Sequence, residues 1–285
     1  MSSSSTLHSR NPQTASWTKG IIGEVFARVF PARSRAIYRR PSSDPASAID
    51  RGILFHLKNR AVREGRSRFL QRLHLDFWAG ENGAVFSTNC DHRFQTHFLA
   101  KQKTDFEAIA HAWQTNESLR NIIEIGTCSG LLLQYLNENL DGIQSIAGID
   151  INETQIHENQ RRYANTILQF HHANGIEWVI DNAKPGTLFV TNGGVLEYFT
   201  QRDVESLFEF AATNAAPSIV YCSEPIAADF DLDQSVESTP FGEELSFSHN
   251  YPKLLTEAGF TILRTTETCC EGHRMLATLA IRQIP

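Results

Sequence analysis

The larger, C-terminal part of the chain alternates short apolar segments with longer amphipathic ones. Strands are predicted at 121–126, 145–150, 166–172, 187–192 and 218–222, with helices between them at 129–140, 152–164, 175–183 and 201–215. A helix at 249–260 and strands at 260–267 and 274–284 close the chain. This order predicts an α/β fold with a doubly wound, mostly parallel seven-stranded sheet that ends in a C-terminal antiparallel hairpin.

The N-terminal part is predicted to be a helical extension. Residues 1–20 are expected to form a disordered tail, 21–101 a helical region that caps the substrate, and 102–285 the main domain. The basic amphipathic stretch from residue 21, interrupted by Pro31, favours a helix that covers the domain or forms a homo-oligomer contact over one that lies on a membrane. Ser43 or Asp44 is expected to cap the helix that follows, and 75–98 looks irregular.

Charge is distributed unevenly along the chain. Residues 1–72 contain 14 Lys and Arg against 4 Asp and Glu, whereas residues 73–285 contain 12 against 28. An acidic main domain argues against a nucleic-acid substrate, because phosphate binding needs a basic face. The basic segment has three possible uses: docking on the acidic domain, binding a partner or membrane surface, or simple solvation.

The five cysteines have no metal-like spacing and no CxxC pair. The N-terminus has no apolar signal region, and no apolar run is long enough for a transmembrane helix, which needs about 20 residues. We therefore expect reduced thiols in a cytoplasmic protein.

A bare loop follows the first strand of the main domain, in the sequence EIGTCSG at 124–130. Ligands of doubly wound sheets bind at the carboxyl ends of the strands. The middle glycine of GxGxxG is missing, and Leu131 stands where a P-loop has its lysine. Both phosphate-binding interpretations are therefore weakened.

Three residues further along suggest an adenosine pocket. Asp150 ends the second strand, about twenty residues after the loop, where a carboxylate can accept both ribose hydroxyls. Ile151 can lie against a purine, and Asn174 after the third strand can bind the edge of that purine. Each has a structural alternative: the loop glycines as turn residues, Asp150 or Asn152 as a helix cap, and Asn174 as a cap.

With EIGTCSG, GID, HHANG and NGGVLEYF in this order, residues 102–285 resemble the class I S-adenosylmethionine (SAM)-dependent methyltransferases of small molecules, which have a Rossmann-like fold. The resemblance implies SAM as the cofactor. It also implies a set of cofactor-binding residues: Glu124, Gly126, Thr127 and Gly130 at the methionine portion, Asp150 at the ribose, Ile151 and Asn174 at the adenine, and Asn192 with Gly193 beside the transferred methyl. The non-glycine in the middle of the loop departs from the commonest form of the first motif.

A hydroxyl acceptor needs a base, and three residues are candidates: His249, Glu224 and His92. Each has a structural alternative of similar weight, and Asp91 with His92 forms a possible acid–histidine pair. Some carboxylates of the acidic stretch 224–248 could bind Mg²⁺, but no fixed ligand spacing supports this, so no metal ligands are assigned.

The sequence thus predicts a SAM-dependent methyltransferase of a small molecule, with O-methylation of a sugar-like or natural-product hydroxyl favoured. N-methylation of a small amine is the close alternative, since carboxylates also suit a cation. A noncatalytic cofactor-binding scaffold, an aminopropyl transferase and an NAD-type dehydrogenase are the other hypotheses. Intact cofactor motifs argue against the first of these, and the missing GxGxxG and paired-acid motifs argue against the other two.

Overall fold

A computed structural model describes residues 12–270 and 272–284. The chain divides into two compact units between Phe77 and Trp78, within the last turn of a helix. The first unit contains α1 (Pro12–Val29), α2 (Pro31–Arg39), α3 (Ala48–Arg63) and most of α4 (Ser67–Ala79). The domain boundary predicted after residue 101 stays a prediction.

The helices of the first unit follow local signals in the sequence. Pro31 begins α2, as its fixed φ and missing N–H favour at a helix start. Ser47 caps α3 by accepting the Asp50 N–H, so the expectation of Ser43 or Asp44 as cap is wrong. Gly65, with φ +63°, ends the helical stretch that seemed continuous over 48–75. Residues 12–20 are helical rather than a tail, and residues 1–11 lie outside the described residues.

Close helix packing defines the interior of the first unit. A Cβ on Gly23 of α1 would lie 2.2 Å from the carbonyl oxygen of Gly52 in α3, so only glycine permits this approach. Ile53, Phe69 and Leu70 are almost fully buried beneath it. Exposed apolar residues remain on α1 (Ile21, Ile22, Val25 and Val29), and the homo-oligomer contact there stays a prediction.

The second unit is built on one seven-stranded sheet. Its strands are β1 (Asn121–Ile125), β2 (Ser145–Asp150), β3 (Leu168–His172), β4 (Thr187–Asn192), β5 (Ser218–Ile226), β8 (Thr261–Cys270) and β9 (His273–Arg282), in the order β3-β2-β1-β4-β5-β9-β8. Strands β1 to β5 are parallel, and β9 runs antiparallel between β5 and β8. The predicted sheet and its C-terminal hairpin are confirmed.

Helices cover both faces of this sheet. One face packs against α8 (Lys103–Gln114), α9 (Leu131–Asn139) and α10 (Glu153–Arg162). The other packs against α11 (Gly175–Asn182), α12 (Gln201–Thr213) and α13 (Tyr251–Glu257). Because the chain moves outward in both directions from β1 and β4, strand order reverses between these strands, and their carboxyl ends are where a doubly wound sheet binds its ligand.

Two segments have more order than the sequence indicated. Residues 78–102, which we call the cap segment, contain α5 (Glu81–Ser87), α6 (Cys90–Arg93), a π-helical turn (Phe94–Phe98) and α7 (Leu99–Lys101). The loop after β5 contains the hairpin of β6 (Thr239–Phe241) and β7 (Ser246–Ser248). No helix of the described residues is both long and apolar enough to cross a membrane.

Candidate functional site

The loop between β1 and α9 contains glycines at two positions where neighbouring side chains leave no room for a Cβ. Gly126 has φ +72°, and a Cβ there would lie 2.5 Å from Cγ2 of Val195. Gly130 has φ +76°, and its Cβ would lie 2.8 Å from Cζ of Phe170. The two glycines thus satisfy both a left-handed backbone and close packing.

Glu124 and Thr127 form a buried pair at the start of this loop. The Thr127 hydroxyl donates to Oε2 of Glu124 at 2.8 Å, and both side chains are 3% exposed. Burial raises the pKa of Glu124 to about 8, an effect that the Thr127 hydrogen bond opposes and the nearby Asp150 reinforces. Glu124 is therefore largely protonated at neutral pH and can donate a hydrogen bond.

Asp150, at the end of β2, supports the loop from the neighbouring strand. Its carboxylate accepts the backbone N–H of Cys128 at 3.1 Å and that of Asn152 at 2.9 Å. Burial raises its pKa, against these backbone hydrogen bonds. The helix cap is Asn152, whose Oδ1 accepts the Gln155 N–H. Asp150 is thus not the cap, and its remaining lone pairs can serve a ligand.

Ile151 and Asn174 lie at the next positions along the carboxyl edge. Ile151 is half-buried, and its carbonyl bonds to Nε2 of His172 at 3.0 Å. Asn174 caps α11, because its Oδ1 accepts the N–H groups of Ile176 and Glu177. Only its amide nitrogen can therefore serve a ligand.

Asn192 and Gly193 end β4 at the same edge. The Gly193 N–H donates to the Ser223 carbonyl at 2.9 Å. Gly193 has φ +88°, and a Cβ there would lie 2.5 Å from Cζ of Phe98. Oδ1 of Asn192 is buried and has no hydrogen-bond partner among the described residues. It is an acceptor placed where a ligand group can meet it.

Glu224 is fully buried beneath the loop that follows β4. Its carboxylate accepts the Thr191 hydroxyl at 2.6 Å and the backbone N–H groups of Val195 and Leu196 at 2.6 and 3.0 Å. Burial raises its pKa to about 7, and the four hydrogen bonds it accepts, including one from the Glu197 backbone, oppose that rise. These contacts hold the 193–198 loop.

His249 supports the same loop from the other side. It is fully buried, with Nδ1 2.5 Å from the Ser238 hydroxyl and Nε2 3.2 Å from the Leu196 carbonyl. Burial lowers its pKa to about 4, although hydrogen bonds to backbone carbonyls raise it. The ring is therefore neutral at pH 7 and engaged at both nitrogens.

His92 is exposed on α6, whereas Glu224 and His249 are fully buried. The expected acid–histidine pair does not form, because Asp91 pairs with Arg162 of α10 at 2.9 Å instead. The structure thus does not bring the three predicted catalytic residues together, whereas the residues predicted to bind the cofactor follow the carboxyl ends of β1 to β4.

The cap segment follows this edge and supplies residues that the sequence did not reveal. The Asn152 side chain donates to the carbonyls of Trp78 and Gly80 at 2.9 and 3.1 Å. At the other end of the segment, Gln102 donates to the Ser223 hydroxyl at 2.8 Å. These anchors join distant parts of the chain, so no local pattern could have indicated them.

A disulfide joins Cys90 of the cap segment to Cys128 of the glycine loop, with their Cα atoms 6.5 Å apart. The expectation of reduced thiols is therefore wrong for this pair, because the fold brings together two cysteines that are far apart in sequence. Cys128 has φ +44°, and its carbonyl accepts the Asn159 side chain at 2.6 Å. Cys222 and Cys269 are free thiols.

The acidic loop after β5 is tied into the fold. Asn250 donates to the carbonyls of Leu232 and Ser235, and Ser248 accepts the N–H of Ala227. Over residues 12–270 and 272–284, His, Cys, Asp and Glu side chains form no group suited to holding a metal ion.

Comparisons with known proteins agree with this geometry. No protein-family model matches the sequence, and no curated protein matches it either. Solved structures do match, among them magnesium protoporphyrin IX methyltransferase from Synechocystis PCC 6803. With bound S-adenosylhomocysteine (SAH) that structure has a TM-score of 0.51 and 15% identity, covering 75% of this chain and 100% of that one. Its SAM-bound form has a TM-score of 0.50 and 16% identity, covering 75% and 97%.

A SAM-dependent methyltransferase from Leishmania major is similar to the same extent. Its TM-score is 0.50 at 15% identity, over 76% of this chain and 82% of that one. At such identities the likeness concerns the fold alone. This chain has the fold of the class I SAM-dependent methyltransferases.

Proposed function

We propose that this protein is a SAM-dependent methyltransferase that acts on a small molecule. The main support is the hydrogen bonding of Asp150. Its carboxylate holds the glycine loop through the Cys128 N–H and keeps lone pairs for a ligand at the ribose position. If Asp150 capped a helix, its oxygens would be occupied by the N–H groups of that helix, but the cap of α10 is Asn152. The acidic main domain supports a small acceptor rather than nucleic acid.

The residues along the edge suit each part of the cofactor. Glu124, Thr127 and the two loop glycines would surround the methionine portion, and Asp150 would bind the ribose. Ile151 would lie against the purine, and the Asn174 amide nitrogen would donate to its edge. Asn192 and Gly193 would border the transferred methyl, where the unpartnered Oδ1 of Asn192 supports a polar contact.

The protein's own task in such a reaction is alignment and exclusion of water. SAM supplies an electrophilic methyl group on a sulfonium. The acceptor atom must then lie about 3 Å from that carbon, in line with the departing sulfur. Phe98, packed on Gly193, and Trp78, whose ring lies 5.2 Å from that of Tyr198, provide an aromatic wall at this point.

The hydrogen bonds of the predicted bases affect whether a hydroxyl or an amine is the favoured acceptor. Glu224 and His249 have their polar atoms engaged within the protein, and we assign them as positioning residues for the 193–198 loop. This leaves His92 as the remaining candidate base for a hydroxyl acceptor. The preference for a sugar-like or natural-product hydroxyl over an amine therefore loses its main support.

Calorimetric titration with SAH tests the proposal. Asp150→Ala should weaken SAH binding tenfold or more, since a hydrogen bond to a charged group contributes about 1.5–3 kcal/mol. Asp141→Ala, at an exposed position after α9, is the matched control and should bind like the wild type. Equal affinity of the two variants would contradict the assignment of Asp150.

A turnover assay distinguishes an active methyltransferase from a noncatalytic cofactor-binding scaffold. Labelled SAM, incubated with the protein and a low-molecular-weight cell extract, should give labelled product and SAH. Tight binding without any product would instead support the noncatalytic scaffold.

A further inference from the structure

Two buried amide oxygens at the carboxyl edge have no hydrogen-bond partner among the described residues. They are Oδ1 of Asn192 and Oε1 of Gln102. Gln102 is only 3% exposed, and its amide nitrogen is already used by the Ser223 hydroxyl. Buried acceptors are nearly always satisfied in folded proteins. Two unsatisfied ones at the same edge indicate a ligand group that donates hydrogen bonds.

The sheet register places these two residues on the same face. Asn192 of β4 pairs with Ser223 of β5, so their side chains project to the same side of the sheet. Gln102 bonds to that same serine side chain. The backbone of Ser223 also holds Gly193, the residue proposed to border the methyl. Gln102 and Asn192 are therefore arranged around Ser223, beside the residue proposed to border the methyl.

The chemistry of the oxygens selects the kind of acceptor. The methyl and sulfonium have no N–H or O–H to offer, so the donor there must come from the acceptor. An amide oxygen accepts a hydrogen bond but does not take up a proton. A hydroxyl held this way would keep its proton and stay a poor nucleophile. A neutral amine, in contrast, donates its N–H groups and keeps its lone pair free.

We propose that Gln102 and Asn192 bind the N–H groups of a nitrogen acceptor, so that the protein is an N-methyltransferase of a small amine. This rests on the proposed function and names its substrate class. The phenyl ring of Phe98 against Gly193 makes the position apolar on one side.

The resulting reaction needs no protein base. The acceptor nitrogen uses its lone pair to form a bond to the methyl carbon, while the carbon–sulfur bond breaks and its electron pair passes to sulfur. The products are SAH and a methylated ammonium. The ammonium loses its extra proton to water after release, so charge and atoms balance.

Sinefungin provides a probe that does not depend on knowing the acceptor. This analogue has an amino group near the position where SAM has its methyl, whereas SAH has no group there. Calorimetry should show the wild type binding sinefungin about tenfold or more tightly than SAH. Asn192→Leu and Gln102→Met should each reduce this ratio about tenfold. Asn192→Asp and Gln102→Glu, which keep an acceptor oxygen, should retain it.

Controls separate the possible failures. Gln95→Met, an exposed substitution in the cap segment, should leave the ratio unchanged, and thermal unfolding checks that each variant folds. If the ratio does not respond to Asn192 or Gln102, or if SAH and sinefungin weaken equally, the inference is overturned while the proposed function stands. Equal weakening would assign the oxygens to the cofactor's own ammonium group. If the wild type binds neither compound, the proposed function itself fails.

Discussion

The carboxylate of Glu224 accepts the backbone N–H of Val195 at 2.6 Å, so a side chain that the sequence offers as a base holds the loop that packs on Gly126. Glu224→Ala would leave the donors of Thr191, Val195 and Leu196 without their acceptor. We expect a loss of about 3 kcal/mol or more in the free energy of unfolding, measured in urea.

Glu209→Ala, on the exposed side of α12, is the control for this substitution and should change stability by less than about 0.5 kcal/mol. A Glu224 variant of unchanged stability that has lost turnover would show that Glu224 acts as the base after all.

Gly126 and Gly142 form a matched pair for testing the glycine loop. Both have a left-handed φ, at +72° and +76°, but a Cβ on Gly142 meets nothing within 4 Å, whereas one on Gly126 meets Val195. Gly142→Ala should therefore cost only the backbone strain, about 1 kcal/mol. Gly126→Ala should cost distinctly more in urea unfolding.

The double variant Gly126→Ala/Val195→Ala removes the methyl groups that the new Cβ meets. It should recover part of the lost stability and part of the SAH affinity. If the two single glycine variants lose the same stability, packing against Val195 does not matter at this position.

The Cys90–Cys128 disulfide should be detectable and stabilising. Peptide mass spectrometry without reductant should find the two cysteines joined. Their sequence separation of 38 residues corresponds to about 2–4 kcal/mol of stabilisation. Cys90→Ala should lose that much without reductant and little in its presence. Cys269→Ala, at an exposed free cysteine, should lose little in either condition. Two free thiols at 90 and 128 in protein purified without reductant would contradict the pairing.

Stability should fall as pH rises through the neutral range. Burial raises the pKa of Glu124 and Glu197 to about 8 and that of Glu224 to about 7, from an unfolded value of 4.5. Between these values the folded protein binds more protons than the unfolded chain, so raising the pH favours unfolding. His249, with its pKa lowered to about 4 from 6.5, opposes this trend below pH 6.5, but it is one group against three.

Urea unfolding at pH 5.5, 7 and 8.5 measures this dependence. We expect the free energy of unfolding to fall by at least about 2 kcal/mol across the range. Glu197→Gln, which mimics the protonated side chain, should flatten the slope, and the exposed Glu209→Gln should not. A free energy that rises with pH would show that these carboxyls are ionised when buried.

The fold was predictable where the apolar pattern of the sequence matches the burial of the residues in the structure. The strands β1, β2, β4, β5 and β9 are largely apolar and buried, and the connecting helices have one apolar face, so their order implied the doubly wound sheet. The common location of the residues predicted to bind the cofactor was predictable for a related reason. Residues at the ends of parallel strands must meet at one edge, and Asn152 as the cap left Asp150 for another role.

The surroundings of the predicted bases and of the cap segment were not predictable, because they depend on contacts between residues far apart in sequence. Glu224 and His249 were expected to lie in loops at the carboxyl edge, but Glu224 lies within β5. The partners of the two residues, Val195, Leu196 and Ser238, become their neighbours only in the fold. The cap segment shows no apolar period, and its helices are held by distant anchors such as Asn152 and Ser223. Nothing local to Gln102 indicates a ligand contact.

Calorimetric titration of the wild type with SAM, SAH, NAD⁺ and ATP tests the central claim most directly. We expect saturable binding of SAM and SAH near one site per chain, with NAD⁺ and ATP at least about a hundredfold weaker, a difference of about 2.8 kcal/mol. Preferential binding of NAD⁺ or ATP, or no heat from SAM and SAH at millimolar concentration, would contradict it.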